Sequence, residues 1–277
     1  SLRSDESSKL GLNKRKGTFY SISGSWRFSQ EEFLKNDVLT DGKLRFSYGT
    51  NGTLPGGNYA YLGLFNFDGN YGDKPASYLS QLQNNDLGWE KSKNLNIGFD
   101  FTVAERFTFG LEYFNKYTSD LLLAVPVSYS TGASTMTMNL GEISNKGWEF
   151  EFHGSNILKS NLIWNTDFTL STLKATVEKL PNGDIIAGDG DLYIYREKED
   201  LYSFYMPTYL GVNSDNGLAM FAKDPSKPDT DDNRTYLFSE AGKTIQKSAY
   251  PKVNGGLSNS FSYKGLSLNI LLTYQFG

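Results

Sequence analysis

The segment Leu266-Ser267-Leu268-Asn269-Ile270-Leu271-Leu272-Thr273-Tyr274-Gln275-Phe276 places an apolar side chain at every even-numbered position. Most of the odd-numbered positions between them are polar. Successive side chains of a β-strand point to opposite faces, so a period of two residues indicates a strand with one apolar and one polar face. Lys264-Gly265, immediately before the segment, predicts a tight turn.

The same two-residue period recurs through the chain. Comparable alternation is found at 17–28, 43–48, 94–101, 107–113, 148–153 and 162–170. Sequential strands joined by tight turns normally pair with each other. The sequence therefore predicts an all-β fold in which antiparallel strands pair in chain order and form one continuous sheet.

The composition restricts the class of protein. The chain has 277 residues, of which 15% are aromatic, together with 28 glycines and no cysteine. No stretch approaches the 18 consecutive apolar residues of a membrane helix, whereas a membrane strand needs only about 9–11 residues with every second one apolar. A net charge of −4 gives no support for nucleic-acid binding.

The connections between the periodic segments alternate between short and long. Short connections are expected at 103–105, 156–160 and 264–265, and long ones at 53–88, 119–141, 174–200 and 223–250. Long polar loops at one end and tight turns at the other are typical of a β-barrel in the outer membrane. A soluble β-sandwich also alternates apolar and polar residues, so periodicity by itself leaves that alternative open.

Several short motifs occur in an order and spacing typical of a known family. They are Ser4-Asp5-Glu6-Ser7-Ser8-Lys9, Gly24-Ser25-Trp26-Arg27, Lys43 to Gly52, Asn58-Tyr59-Ala60-Tyr61, Asn84 to Lys91, Tyr113-Phe114-Asn115-Lys116 and Asn139 to Glu149. In this order the chain resembles the SusC/RagA family of TonB-dependent outer-membrane transporters of Bacteroidetes. The motifs are distributed over most of the chain.

The resemblance implies a bacterial outer-membrane barrel of about 22 strands, closed by an N-terminal plug. It also implies TonB-dependent uptake of a nutrient such as an oligosaccharide or peptide, with a SusD-like surface lipoprotein as partner. Residues 1–277 contain neither a plug nor a TonB box, so we expect them to be a partial transmembrane β-barrel domain. The alternative is a non-transporting surface β-protein, acting as an adhesin or structural barrel.

Catalysis and metal binding receive little support. His153 is the single histidine, so any Ser–His triad would depend on it. Asp229, Asp231, Asn233 and Glu240 match the spacing of EF-hand ligands, but Arg234 stands where the loop needs glycine. We therefore expect no enzyme, no cofactor and no metal, with 229–240 as a solvated acidic loop.

An aromatic-rich loop is the candidate binding surface. Tyr59, Tyr61, Phe65, Tyr71 and Tyr78 lie in 53–88, interspersed with Asn and Asp. Aromatic faces with nearby hydrogen-bonding groups suit an amphipathic ligand such as a sugar or peptide. The alternative is a loop whose aromatic residues only pack against each other.

The period of two also assigns a direction to each side chain of a membrane barrel. Large barrels carry lipid on the outside and polar groups in the lumen. The residues expected to face lipid are Ile22, Phe46, Ile97, Phe109, Phe150 and Leu268, and those expected to face the lumen are Ser23, Arg45, Asn96, Glu112, Glu151 and Asn269.

Overall fold

The structure, a computed structural model, describes residues 1–35, 37–133, 135–181 and 183–277. One large sheet forms the wall of the fold, and its strands are β1 (Leu2–Glu6), β2 (Lys16–Trp26), β3 (Leu39–Thr53), β6 (Glu90–Val103), β7 (Phe107–Ser119), β10 (Glu142–Lys159), β11 (Leu162–Thr172), β12 (Lys174–Lys179), β20 (Val253–Tyr263) and β21 (Leu266–Phe276).

Shorter strands lie within the long connections. They are β4 (Leu64–Tyr71), β5 (Lys74–Gln81), β8 (Leu122–Pro126), β9 (Thr135–Asn139), β13 (Ile185–Ala187), β14 (Tyr193–Tyr195), β15 (Ser203–Pro207), β16 (Tyr209–Val212), β17 (Ala219–Ala222), β18 (Arg234–Thr235) and β19 (Lys243–Ser248). Short 3-10 turns occupy Phe28–Gln30, Tyr129–Thr131, Asp231–Asn233 and Phe238–Glu240. No helix in the described part of the chain is long and apolar enough to span a membrane.

The large sheet follows the order β1-β2-β3-β6-β7-β10-β11-β20-β21, and every pairing in it is antiparallel. β12 continues from β11 and pairs with the outer part of β10. The predicted sheet, paired in chain order, is confirmed. Because consecutive connections lie at alternate ends, the tight turns share one end and the long loops share the other.

The tight turns have the backbone that two-residue hairpins require. Lys264 and Gly265 both have positive φ, at 46° and 85°, as do Ala104 and Glu105, at 51° and 54°. Turns of this kind match the right-handed twist of the strands that they join. The turn expected near 156–160 lies slightly later, because β10 passes an irregularity after Ser155 and continues to Lys159.

The register separates the apolar and polar side chains onto opposite faces. Phe46 lies opposite Ile97, and Ile97 lies opposite Tyr113. On the other face, Arg45 lies opposite Gly98, which lies opposite Glu112. Residues directly opposite in an antiparallel pair share a face, so the two sets occupy the sides that the sequence predicts.

The apolar face is largely uncovered. Ile22 is 64% exposed, and Phe46, Ile97, Leu268 and Ile270 are also exposed. The buried apolar cluster lies instead at the loop end, where Leu10, Phe19 and Trp89 pack together. A soluble protein exposes few contiguous apolar patches of this size, because their hydration is unfavourable. The apolar face therefore belongs against lipid.

Aromatic side chains form two groups along the apolar face. Near the tight turns, rings contact one another in sequence from Phe28 through Phe99, Phe101, Phe109 and Phe152 to Phe107. Nearer the loops, Tyr20 contacts Tyr48 and Tyr113 contacts Trp148. Membrane barrels carry such aromatic girdles at both membrane–water interfaces.

Candidate functional site

The aromatic loop predicted to bind substrate contains a projecting hairpin. β4 and β5 pair with each other and join through Gly72 and Asp73, which have φ values of 54° and 60°. Most residues of both strands are exposed. The hairpin therefore rises from the loop end of the wall with both of its faces accessible.

The predicted binding residues are distributed over this hairpin and its base. Tyr71 is 85% exposed, and Tyr59, Phe65 and Tyr78 are also exposed, as is a further ring of the hairpin, Phe67, at 81%. Asn66 donates a hydrogen bond to the Tyr78 hydroxyl over 3.1 Å. In the described part of the chain, none of these rings stacks on another aromatic ring. The hairpin thus presents separate aromatic side chains with polar groups between them.

Tyr61 differs from the other candidates because it lies at the base of the hairpin. The Arg15 guanidinium lies 5.9 Å from the centre of the Tyr61 ring. Gln81 donates hydrogen bonds to the carbonyl oxygens of Tyr59 and Leu62, at 2.8 and 2.7 Å. These contacts fix the base of the hairpin and the position of the Tyr61 ring, and Tyr61 stays a predicted contact residue.

A second aromatic cluster lies in the connection from β11 to β20. Tyr202 makes edge-on contacts with Tyr193, Tyr195 and Tyr250, at ring distances of 5.6, 5.5 and 5.2 Å. Phe204 stacks on Tyr193. The sequence did not predict this cluster, because its one local signal, the Tyr193-Ile194-Tyr195 repeat, does not show that Tyr202 and Tyr250 join it. Burial raises the pKa of Tyr195 to about 12, with a contribution from the Tyr202 hydroxyl.

An apolar recess adjoins this cluster on the polar side of the wall. Its volume is about 270 Å³, and its walls include Ile143, Val177, Tyr195 and Tyr202, with Glu142 among the lining residues. Ile143 shares its face of β10 with Glu149 and Glu151, because alternate residues of a strand point the same way. The recess could therefore hold a small apolar group of a ligand that enters from the loops.

We predict that Tyr202→Ala loosens the connection from β11 to β20. The substitution removes three ring contacts, each contributing about 0.5–1.5 kcal/mol. Limited trypsin digestion of the folded full-length protein should then cut within 174–252 about tenfold faster. Tyr209→Ala is the control, because among the described residues the Tyr209 ring contacts one aromatic ring, that of Phe221. Equal cleavage rates for the two variants would contradict the prediction.

The polar face carries fixed charges. Arg45 donates a hydrogen bond to Asp100 over 2.7 Å and lies 3.1 Å from Glu112, so that one cation holds two carboxylates. His153 lies 2.6 Å from Asp167, and both side chains are about half exposed. His153 therefore lies on the polar face of the wall, where its side chain contacts the Asp167 carboxylate and not a serine hydroxyl.

The acidic loop at 229–240 uses its carboxylates internally. Arg234 donates hydrogen bonds to Asp229 and Asp231, at 2.6 and 2.8 Å. The Arg234 guanidinium lowers the pKa of the Asp229 carboxyl. No group of three potential metal ligands occurs among the described residues. Arg234 thus pairs with two of the four residues that match the spacing of EF-hand ligands.

The geometry defines the wall of an outer-membrane β-barrel with its loops at one end. Residues 1–191 match the family of TonB dependent receptor-like β-barrels. The chain belongs to this family, and its localisation is the outer membrane. The resemblance to SusC/RagA transporters that the sequence motifs indicated is also confirmed by the similar proteins described next.

The relatives are receptors and transporters. The chain is 31% identical to TonB-dependent receptor P3 of Formosa agariphila, with 99% of the chain and 30% of that protein covered. It is 29% identical to TonB-dependent receptor SusC of Bacteroides thetaiotaomicron, again covering 99% of the chain and 30% of the relative. The chain thus spans about 30% of the length of these relatives.

A solved structure has the same fold. The RagAB peptide transporter superimposes with a TM-score of 0.85 and 27% identity over 99% of this chain and 31% of that chain. A structure of the RagAB peptide importer in an open state gives a TM-score of 0.84. The fold described above is therefore shared with the RagAB peptide transporter.

Proposed function

We propose that this chain forms part of the wall and of the extracellular surface of a TonB-dependent nutrient importer. One observation carries the proposal: the sheet separates an exposed apolar face from a charged face, and all its long loops lie at one end. Such a wall separates lipid from a polar passage, while its loops meet the substrate.

The other parts of the importer are inferred from the relatives. The free edges of β1 and β21 present backbone groups that must be paired in lipid, so further strands are needed to close the barrel. A plug within the lumen and a TonB box would couple transport to TonB. The charged face, with Arg45, Asp100 and Glu112, would then contact the plug or the passing substrate.

The proposed cargo is an oligosaccharide or a peptide, received with a SusD-like lipoprotein at the loop end. The β4–β5 hairpin supports this assignment, because its separated aromatic rings and polar side chains suit the apolar and hydrogen-bonding surfaces of such ligands. Phe65, Phe67, Tyr71 and Tyr78 are the proposed contact residues. Tyr59 and Tyr61, at the base of the hairpin, are the other candidates.

Deletion of the whole gene tests the importer proposal. A strain without the gene should lose growth on at least one nutrient of a panel of oligosaccharides and peptides, because an outer-membrane importer is the entry route for cargo too large to diffuse. The full-length gene supplied in trans should restore that growth. Uptake of the whole panel by the deletion strain would instead support a surface-adhesion role.

Substitution of the hairpin tests the contact residues separately. Changing Phe65, Phe67, Tyr71 and Tyr78 to Ser should reduce uptake of the identified nutrient by at least about tenfold, because four aromatic contacts are lost and each contributes about 0.5–1.5 kcal/mol. The barrel should remain folded and heat-resistant. Val212→Ser, Leu218→Ser and Leu237→Ser, which remove exposed apolar side chains from a different long connection, are the control. Unchanged uptake in the aromatic variant would overturn the site without affecting the importer proposal.

A further inference from the structure

A recess of about 500 Å³ lies on the outer side of the wall, where β12 begins. Tyr113, Lys146, Trp148, Lys174, Tyr250 and Lys252 line it, together with Asp200. Three lysines against one carboxylate give it a net positive charge, whereas the whole chain has a net charge of −4. The recess is therefore positively charged, whereas the protein as a whole is negatively charged.

The register places the recess on the lipid side. Trp148 lies opposite Tyr113, and Lys146 lies opposite Lys174. Lys146 and Trp148 share their face of β10 with Phe150, since alternate residues of a strand point the same way. Moving along β10 from the tight turn, the order is Phe150, then Trp148, then Lys146. Lys146 thus lies about 7 Å beyond Trp148, on the side nearer the loops.

The level of the recess is that of the outer membrane–water interface. Trp148 and Tyr250 are 50% and 40% exposed, and exposed Trp and Tyr residues concentrate at this boundary. Lysines immediately beyond such a girdle are placed at the depth of lipid headgroups. The recess also lies within the sheet, between β7 and β20, so closure of the barrel by further strands leaves it open to lipid.

In the part of the chain that the structure describes, no carboxylate forms an ion pair with Lys146, Lys174 or Lys252, although Asp200 lines the same recess. Glu178, which attracts Lys146 only at longer range, accepts hydrogen bonds from Ser144 and Lys198, at 2.6 and 2.9 Å. Like charges directly opposite on a sheet destabilise it. The pair Lys146 and Lys174 therefore favours an external anion between the two ammonium groups.

We propose that this recess binds the phosphate of an anionic lipid headgroup in the outer leaflet. The ammonium groups of Lys146 and Lys174, which share the lipid face, donate charge-assisted hydrogen bonds to the phosphate oxygens, and Lys252 adds positive charge at the edge of the recess. The aromatic rings of Tyr113 and Trp148 lie below them, alongside the start of the acyl chains. This site faces away from the lumen, so it is independent of the cargo proposed above.

Lipid titration of the purified full-length protein tests the site. Delipidated protein in neutral detergent is titrated with dihexanoyl phosphatidic acid, dihexanoyl phosphatidylcholine and inorganic phosphate, and bound ligand is counted by native mass spectrometry. We expect phosphatidic acid to bind preferentially. The variant with Lys146→Gln, Lys174→Gln and Lys252→Gln should bind it at least about tenfold more weakly.

Two further variants separate the site from general effects of charge and folding. Changing Lys9, Lys14 and Lys16 to Gln removes the same charge at residues that form no recorded ion pair among the described residues, and should leave lipid binding unchanged. Arg at all three recess positions should retain binding. The proposal is overturned if the Gln variant of the recess binds phosphatidic acid as the unmodified protein does. Equal binding of phosphatidylcholine or of inorganic phosphate also overturns it.

Discussion

Arginine in place of Ile97 is expected to lower the free energy of unfolding of the full-length barrel in a lipid bilayer by about 1–2 kcal/mol, which lies between the cost at the membrane midplane, about 2–4 kcal/mol, and the cost at the interface level of Tyr113, about 0–1 kcal/mol. Ile97 lies on the exposed apolar face, with Phe46 and Tyr113 as its direct neighbours across the two flanking strands. A guanidinium there loses its hydration to hydrocarbon. Urea unfolding in phosphatidylcholine vesicles, followed by tryptophan fluorescence, measures the change.

Asn96→Arg is the matched control, one residue away on the opposite face. Asn96 donates a 3.3 Å hydrogen bond to the Ser47 hydroxyl on the polar side. An arginine at this position remains hydrated, so its cost should stay below about 1 kcal/mol. Equal costs at the two positions, or a larger cost at Asn96, would mean that the apolar face is covered by protein and not by lipid.

The strands of the wall could be predicted because the sequence signals that specify them lie within each strand and turn. Strand faces follow from a period of two, and the tight turn before β21 follows from Lys264-Gly265. Leu271 is an instructive exception. It stands between Ile270 and Leu272, and its partner Ser258 shows that it lies on the polar face. For a residue within an unbroken apolar run, the residue types do not show which face of the sheet the side chain lies on. The strand register does show it.

The loops were less predictable, for two different reasons. The β4–β5 hairpin had a local signal, since Gly72-Asp73 is a favoured pair for a two-residue turn. The tyrosine cluster had none of comparable strength, because Tyr202 and Tyr250 are far apart in sequence and meet only through the pairing of β15 with β19. Contacts of that kind depend on tertiary structure.

The acidic loop and the basic recess show a related limit for electrostatics. Spacing could flag Asp229 and Asp231 as potential ligands, but it could not show that Arg234 reaches both carboxylates. Likewise, Lys146 and Lys174 are 28 positions apart in the sequence, and only the strand register places them opposite each other. The sign of the local electrostatic potential therefore depends on which strands the sheet places side by side.

Gly255→Ala is expected to lower the free energy of unfolding of the full-length barrel by about 1–3 kcal/mol, because it adds a methyl group where there is no space. A Cβ on Gly255 would lie 2.1 Å from the Thr169 carbonyl oxygen and 2.4 Å from the Tyr274 hydroxyl oxygen. Tyr274 covers this glycine from the neighbouring strand and donates a 2.8 Å hydrogen bond to the Thr169 carbonyl. The methyl group displaces that ring and breaks the hydrogen bond.

Gly256→Ala provides the comparison at the adjacent position. A Cβ there meets its nearest atom, the Leu272 carbonyl oxygen, at 3.5 Å, which is ordinary van der Waals contact. Its effect should therefore stay within about 0.5 kcal/mol. Both variants are compared by the urea unfolding measurement described for Ile97. Tyr274→Phe should reproduce only the loss of the hydrogen bond, about 0.5–1.5 kcal/mol. If Gly255→Ala costs no more than Gly256→Ala, the Tyr274 ring does not lie over Gly255, and the pairing of β20 with β21 needs revision.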